Sequence, residues 1–176
     1  VVDNLDGGLG NDTLSFASVT GSVGVTVSLT STVVASGGAG NDIFANFENL
    51  TGSSLADSLT GNASDNIISG GDGNDTLNGG LGNDSLDGGA GTLDVVTYAS
   101  ATGAVTVNLG GNSAMGAMGN DQVTNIEVIL GSNFADALTG NSLFNTIQGG
   151  SGDDVIDGGA GGAIVDSLDG GVGNDT

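Results

Sequence analysis

The chain has 176 residues, with 36 Gly, no Pro, no Cys, six aromatic residues, and 21 acidic side chains against no Lys, Arg or His. This composition excludes disulfides, thiolate or imidazole zinc sites and internal ion pairs, and leaves too few aromatics for a large globular core. It also argues against nucleic acid and anionic membrane surfaces as partners, because phosphate binding depends on Lys and Arg, and it leaves metal cations as the natural counter-charge.

The first phrase in chain order is GGLGNDTLS (7 to 15), which fits the template G-G-x-G-x-D-x-U-x, with U a large aliphatic. SVGVTVSL (22 to 29) then alternates apolar and polar over a longer span, followed by a second copy, GGAGNDIFA (37 to 45), with Phe44 as U. From Gly52 to Asp87 four nonapeptides run without a break: the degenerate GSSLADSLT and GNASDNIIS, then the perfect GGDGNDTLN and GGLGNDSLD. A copy from Gly88 carries one inserted residue; AVTVNL (104 to 109) alternates again; and GAMGNDQVT (116 to 124) departs from the template once. The degenerate GSNFADALT and GNSLFNTIQ, the perfect GGSGDDVID (149 to 157), a copy from Gly158 with three inserted residues, and a last partial copy from Gly170 follow.

A longer period overlies the short one. NFENLTGSSLADSLTGN (46 to 62) aligns with NIEVILGSNFADALTGN (125 to 141) at a shift of 79. The last 13 residues match the first 13 at ten positions, so the chain is expected to be a single solenoid segment, 1–176, of a longer array, with repeat units of about 1–92 and 93–176. It begins with Val and carries nothing like a signal peptide, and no apolar run reaches the roughly 18 residues of a membrane span, so membrane insertion is not expected.

In each nonapeptide six residues of turn chemistry precede three that alternate, so position eight points inward from a short strand. Leu59, Ile68, Leu77 and Leu86 take that place in the unbroken run. Two such halves make a coil of 18 residues. The expected fold is all-β: a right-handed parallel β-roll, or β-solenoid, of stacked coils with two nonapeptides per coil, and with SVGVTVSL and AVTVNL as wider irregular rungs. Whether the stack continues through 16 to 36 and 98 to 115 is left open. One inward aliphatic per nine residues is a thin core against the entropy of ordering nine backbones, so the turns need another source of stability.

Residues of equal phase recur every 18, which predicts a column of Asp57, Asp75 and Asp94 along one edge. Asn66 and Asp84 belong to the opposite edge, where Asp42 is expected to join them. Carboxylates from stacked turns, together with glycine-loop carbonyls around Gly71, Gly73, Gly80, Gly82, Gly150 and Gly152, make an oxygen shell that suits Ca²⁺ better than the tighter octahedron of Mg²⁺. Asp6, Asp87, Asp157 and Asp169 precede Gly-Gly pairs and are expected to bond or solvate turns. Glu48 and Glu127 occupy equivalent places on separate rungs, which is not the arrangement of two carboxylates facing one substrate, and no enzyme activity is expected. Tyr98 matches Phe16 and is expected to pack within a rung.

These nonapeptides resemble the RTX, or hemolysin-type, calcium-binding repeats, a parallel β-roll found in bacterial proteins exported by type I secretion. The resemblance implies several Ca²⁺ ions as cofactor, folding after export into millimolar calcium, and a secreted, extracellular location, as at a bacterial cell surface. It implies metal ligation by Asp12, Asp42, Asp75, Asp84, Asp121, Asp154 and Asp175 in the stronger copies. In degenerate or expanded copies the same position falls on Asp57, Asp94, Asp136 and Asp166, with Asn66 and Asn145 as weaker candidates. Leu55, Phe134 and Leu143 replace the fourth-position glycine, which counts against calcium at those turns.

The leading function is a calcium-binding structural module of a surface fibre, adhesin, S-layer-like sheet or long secreted array, stacking end to end with neighbouring copies. One alternative is the non-catalytic tail of a type I-secreted enzyme. Another is a carbohydrate- or ice-binding module, although the third turn position in the perfect copies (Leu9, Ala39, Asp72, Leu81, Ser151) offers no Thr file for ice.

Overall fold

The computed structural model describes residues 3–30, 36–161 and 165–176. Parts of the 16 to 36 span and of the expanded copy from Gly158 therefore lie outside the described residues. The architecture is two facing sheets of mostly parallel strands, joined at both edges by the turns of the repeat, with one 3-10 turn among the described residues, at Leu109–Gly111. One sheet runs in hydrogen-bonding order Thr13–Ser15, Asn49–Thr51, Ile67–Asp72, Ser85–Ala90, Gly119–Thr124, Ser113–Gly116, Val105–Asn108, Ala137–Thr139, Val155–Asp157. The facing sheet runs Ser36–Gly37, Val25–Ser28, Ser58–Thr60, Thr76–Asn78, Val95–Thr97, Val128–Leu130, Thr146–Ser151, Ser167–Val172. A separate pair joins Asn4–Asp6 to Ile43–Ala45. The fold is a parallel β-roll.

Register follows the period. Leu59 lies beside Leu77, Ile68 beside Leu86, Ile129 beside Ile147 and Leu138 beside Ile156, each pair 18 residues apart. The extra residue in the copy from Gly88 is absorbed in its turn, so that Leu77 meets Val96 in register. Position eight is the core: Leu59, Ile68, Leu77, Val96, Ile129 and Ile147 are fully buried. Each sits between equivalents above and below, so loss of a methyl leaves a gap that the rigid stack fills poorly. Ile68→Val is expected to cost about 0.5–1.5 kcal/mol, measured as a shift in chemical denaturation of the calcium-loaded chain.

The alternating segments depart from the expectation of wider rungs. Val105–Asn108 turns back through Ser113–Gly116 and again into Gly119–Thr124, making an antiparallel insert within the sheet. Its outer strands pair in parallel with the roll on either side, against Ala137–Thr139 and Ser85–Ala90. Val25–Ser28 likewise pairs in parallel with Ser58–Thr60 and antiparallel with Ser36–Gly37. Roll pairing therefore continues across 98 to 115.

The insert keeps three strands on one side of the roll and shifts everything after it by half a coil. Asn49–Thr51 lies in the sheet of Ile67–Asp72, whereas its equivalent at a shift of 79, Val128–Leu130, lies in the sheet of Val95–Thr97. Equivalent residues of the long repeat therefore face opposite sides of the molecule.

Candidate metal centre

Most sixth-position carboxylates accept a hydrogen bond from the backbone of the preceding rung, and this defines the columns. The N–H of Asp57 donates to Asp75 Oδ1 (2.8 Å), that of Asp75 to Asp94 Oδ1 (2.8 Å), and that of Asp94 to Glu127 Oε2 (3.0 Å). On the opposite edge Asn66 donates to Asp84 Oδ1 (2.8 Å) and Asp84 to Asp121 Oδ1 (3.1 Å). Farther along, Asp136 donates to Asp154 (2.8 Å), Asp154 to Asp175 (3.0 Å), and Asn145 to Asp166 (2.9 Å). Asp42 does not join Asn66 and Asp84. It accepts from the N–H of Asp3 (3.0 Å) beside the two-stranded pair, because the antiparallel strand Ser36–Gly37 places its turn elsewhere.

Asp75, Asp84, Asp94 and Asp154 each spend Oδ1 in this ladder and leave Oδ2 over. The Oδ2 atoms of Asp12, Asp75, Asp84, Asp94 and Asp154 are buried without a hydrogen-bond partner. Burial raises the Asp75 and Asp84 carboxyls to about 6 from an ordinary 3.8. Backbone hydrogen bonds oppose that shift, while neighbouring carboxylates, Asp57, Asp94 and Asp72 around Asp75 and Asp121 and Asp65 around Asp84, add to it. Asp94, Asp121, Glu127 and Asp154 are also raised, again mainly by burial. Buried polar atoms in native proteins are paired, and five orphaned oxygens of one kind call for a cation.

Each turn supplies a place for one. Gly70, Gly79 and Gly149 open their turns directly over the orphaned oxygens of Asp75, Asp84 and Asp154, where a Cβ would collide with the carboxylate. The second and fourth glycines adopt positive φ, +111° and +123° at Gly71 and Gly73, and +95° and +120° at Gly80 and Gly82. That conformation costs glycine nothing and turns its carbonyls out of the strand direction. The carbonyls of Gly71, Gly82, Gly150 and Gly152 point into the gap between stacked turns, against the Cα atoms of Gly89, Gly119, Gly171 and Gly173. Among the described residues no three acidic side chains converge, so a cation held at these turns would draw on one or two carboxylates and otherwise on main-chain oxygen. Such a donor set fits Ca²⁺, which takes carboxylate and carbonyl oxygens in flexible geometry.

A family model for the RTX calcium-binding nonapeptide repeat matches the chain four times, at residues 2–15, 51–86, 130–165 and 139–176, together more than half its length. The chain belongs to the RTX calcium-binding repeat family. It is a calcium-binding repeat module whose cofactor is Ca²⁺, held at several sites. Proteins of the family are typically secreted, and no helix among the described residues is long and apolar enough to cross a membrane. A search of curated proteins gave no match.

Within this RTX roll, several side chains carry roles that sequence reasoning missed. Glu48 and Glu127 end the ladders below Asp12 and Asp94, and each accepts from the Asp backbone N–H, at 2.9 and 3.0 Å. They lie in short half-coils that turn on one left-handed residue, Asn46 (φ 58°) and Asn125 (φ 52°), and the longer Glu side chain spans what a full turn would have covered. Asn46 and Asn125 in turn donate to Asp6 (2.8 Å) and Asp87 (2.7 Å).

The fifth position forms a second, outer ladder. The N–H groups of Asn83, Thr92, Asn120 and Asn174 donate to Asp65, Asn74, Asn83 and Asp153 of the preceding rung. The signal was available, since every strong copy has Asn or Asp there. Tyr98 packs in its rung as expected, but its hydroxyl also donates to Asp121 Oδ2 (3.0 Å), so that carboxylate, unlike Asp84, has both oxygens engaged. Asp6, Asp87, Asp157 and Asp169 do bond their turns, each accepting the N–H two residues on.

Proposed function

We propose that this module is a structural, non-catalytic segment of a secreted extracellular array at a bacterial cell surface, which folds and stiffens when its turns take up calcium. The recurrence of buried, partnerless carboxylate oxygens from Asp12 to Asp154, spread along the whole roll instead of gathered at one cleft, carries this proposal. When bound, Ca²⁺ supplies the positive charge that a chain without Lys, Arg or His lacks. The protein's part is to present paired edges of oxygen at fixed spacing, so that each occupied site ties one rung to the next. Extracellular modules bind at roughly 10⁻⁴–10⁻³ M, which matches calcium outside cells and not inside them. Glu48 and Glu127 are each engaged with a backbone N–H on separate rungs, which speaks against a catalytic carboxylate pair.

End-to-end stacking belongs to the same proposal. Leu5 and Leu168 occupy the inward position of the outermost rungs and are 37% and 49% exposed, while their paired neighbours Phe44 and Ile147 are buried. A further coil, from a neighbouring copy or from the same polypeptide, would bury both faces. Electron microscopy and sedimentation in millimolar calcium test this. Head-to-tail oligomers or fibres, dispersed by chelator, are expected; a monodisperse monomer at high concentration would overturn the stacking.

A further inference from the structure

Calcium occupancy of the glycine turns, as proposed above, is the foundation here; the question is which turns are excluded from it. We propose that coils 52–69 and 131–148 close both of their turns with the chain's own donors, and that Asp57, Asp136, Asn66 and Asn145 are not calcium ligands. One coil in each copy of the long repeat is thereby metal-free.

The second residue of the turn decides. Where it is glycine with Asp or Asn two residues before it, its N–H leaves the turn: Gly8, Gly80 and Gly89 donate to Asp6, Asn78 and Asp87, all at 3.1 Å. The carboxylates of those same turns, Asp12, Asp84 and Asp94, keep an orphaned oxygen. Where the second residue is Ser or Asn, the N–H points inward. Ser53 and Ser132 donate to Oδ2 of Asp57 (2.5 Å) and Asp136 (2.6 Å), and Asn62 and Asn141 donate to Oδ1 of Asn66 and Asn145 (2.7 Å each).

The serine hydroxyls add a second donor, to Asp57 Oδ1 (2.9 Å) and Asp136 Oδ1 (2.8 Å). A third comes from the preceding rung, where Val25 and Val105 donate to the same oxygens at 2.6 and 2.8 Å. A carboxylate that accepts several N–H and O–H bonds is stabilised as an anion without any metal. The two asparagines spend their amide nitrogens as well, on the carbonyls of Glu48 (2.6 Å) and Glu127 (3.4 Å).

Turn backbones agree with this division. No residue in 52–57, 61–66, 131–136 or 140–145 has positive φ, whereas Gly71 and Gly73, and Gly80 and Gly82, all do. None of the orphaned oxygens falls in these four turns. The N–H bonds from Ser53 and Asn62 recur from Ser132 and Asn141, 79 residues on and with the coils on opposite sheets, so the exclusion is a property of the local sequence.

The test is the number of calcium ions counted by native mass spectrometry at saturating Ca²⁺. Asp57→Asn with Asp136→Asn is expected to leave the wild-type count unchanged, while Asp75→Asn lowers it by at least one. Loss of an ion from the double variant overturns the inference. Retention of every ion by Asp75→Asn overturns the calcium reading beneath it, and the inference with it. A crystal structure of the wild-type chain grown in calcium decides independently of how the variants fold: anomalous scattering is expected at Asp75 and Asp84, and an ion within about 2.6 Å of an Asp57 or Asp136 carboxylate oxygen overturns the proposal.

Discussion

Stripping calcium from the chain at neutral pH is expected to abolish most of its β-type circular dichroism, and returning millimolar Ca²⁺ to restore it. Among the described residues the roll buries five carboxylate oxygens without a hydrogen-bond partner. An uncompensated buried ion costs several kcal/mol even after relaxation, and the net stability of a domain is only about 5–15 kcal/mol. Asp75 and Asp84, whose carboxyls burial raises furthest, therefore draw on a large part of that margin. Magnesium, which demands a tighter octahedron and keeps its waters, is expected to restore far less of the signal at equal concentration. A spectrum unchanged by chelator would overturn the coupling of metal to fold.

Acid is expected to act on the metal-free and metal-loaded chains in opposite directions. Asp75 and Asp84 hold their protons up to about pH 6 in the roll against an ordinary value of 3.8. A carboxyl raised on folding contributes stability that is fully present below its ordinary pKa and lost as pH rises through the folded value. The metal-free roll therefore gains stability as pH falls from 7 through 6 towards 4, because protonation removes the buried charge that calcium otherwise neutralises. Calcium binding weakens over the same window, by roughly tenfold per pH unit below 6 for each carboxylate that must lose its proton. Circular dichroism of metal-stripped protein and calcium titrations at pH 7, 6, 5 and 4 would show the opposed trends. If the metal-free chain is no more stable at pH 4 than at pH 7, burial is not what raises these groups.

The fold was legible in the sequence because a nonapeptide with one inward aliphatic has few ways to bury it. Leu59, Ile68, Leu77 and Leu86 named the core, and their spacing gave the 18-residue register seen between Leu59 and Leu77 and between Ile68 and Leu86. The columns of Asp57, Asp75 and Asp94 and of Asn66 and Asp84 followed from the same period. Asp42 was misplaced because its partner is set by an antiparallel strand, and such pairing carries no fixed sequence interval. Glu48 and Glu127 were singled out as equivalents on separate rungs, but their place in the ladders was missed because their half-coils lack the glycine turn by which the others were recognised.

By itself, then, the sequence determined the coil, its inward residue and the beat of its carboxylates, since all three arise from contacts between neighbours one or two repeats apart. Tertiary structure alone decided how those coils are phased. The insert from Val105–Asn108 to Gly119–Thr124 keeps three strands on one side, so the second long repeat enters half a coil out of step and shows its equivalents on the opposite sheet. It also decided which carboxylates are left unpartnered. Asp75 and Asp57 hold the same place in the repeat, but one N–H, turned inward at Ser53 and not at Gly71, separates an oxygen that needs a cation from one that does not.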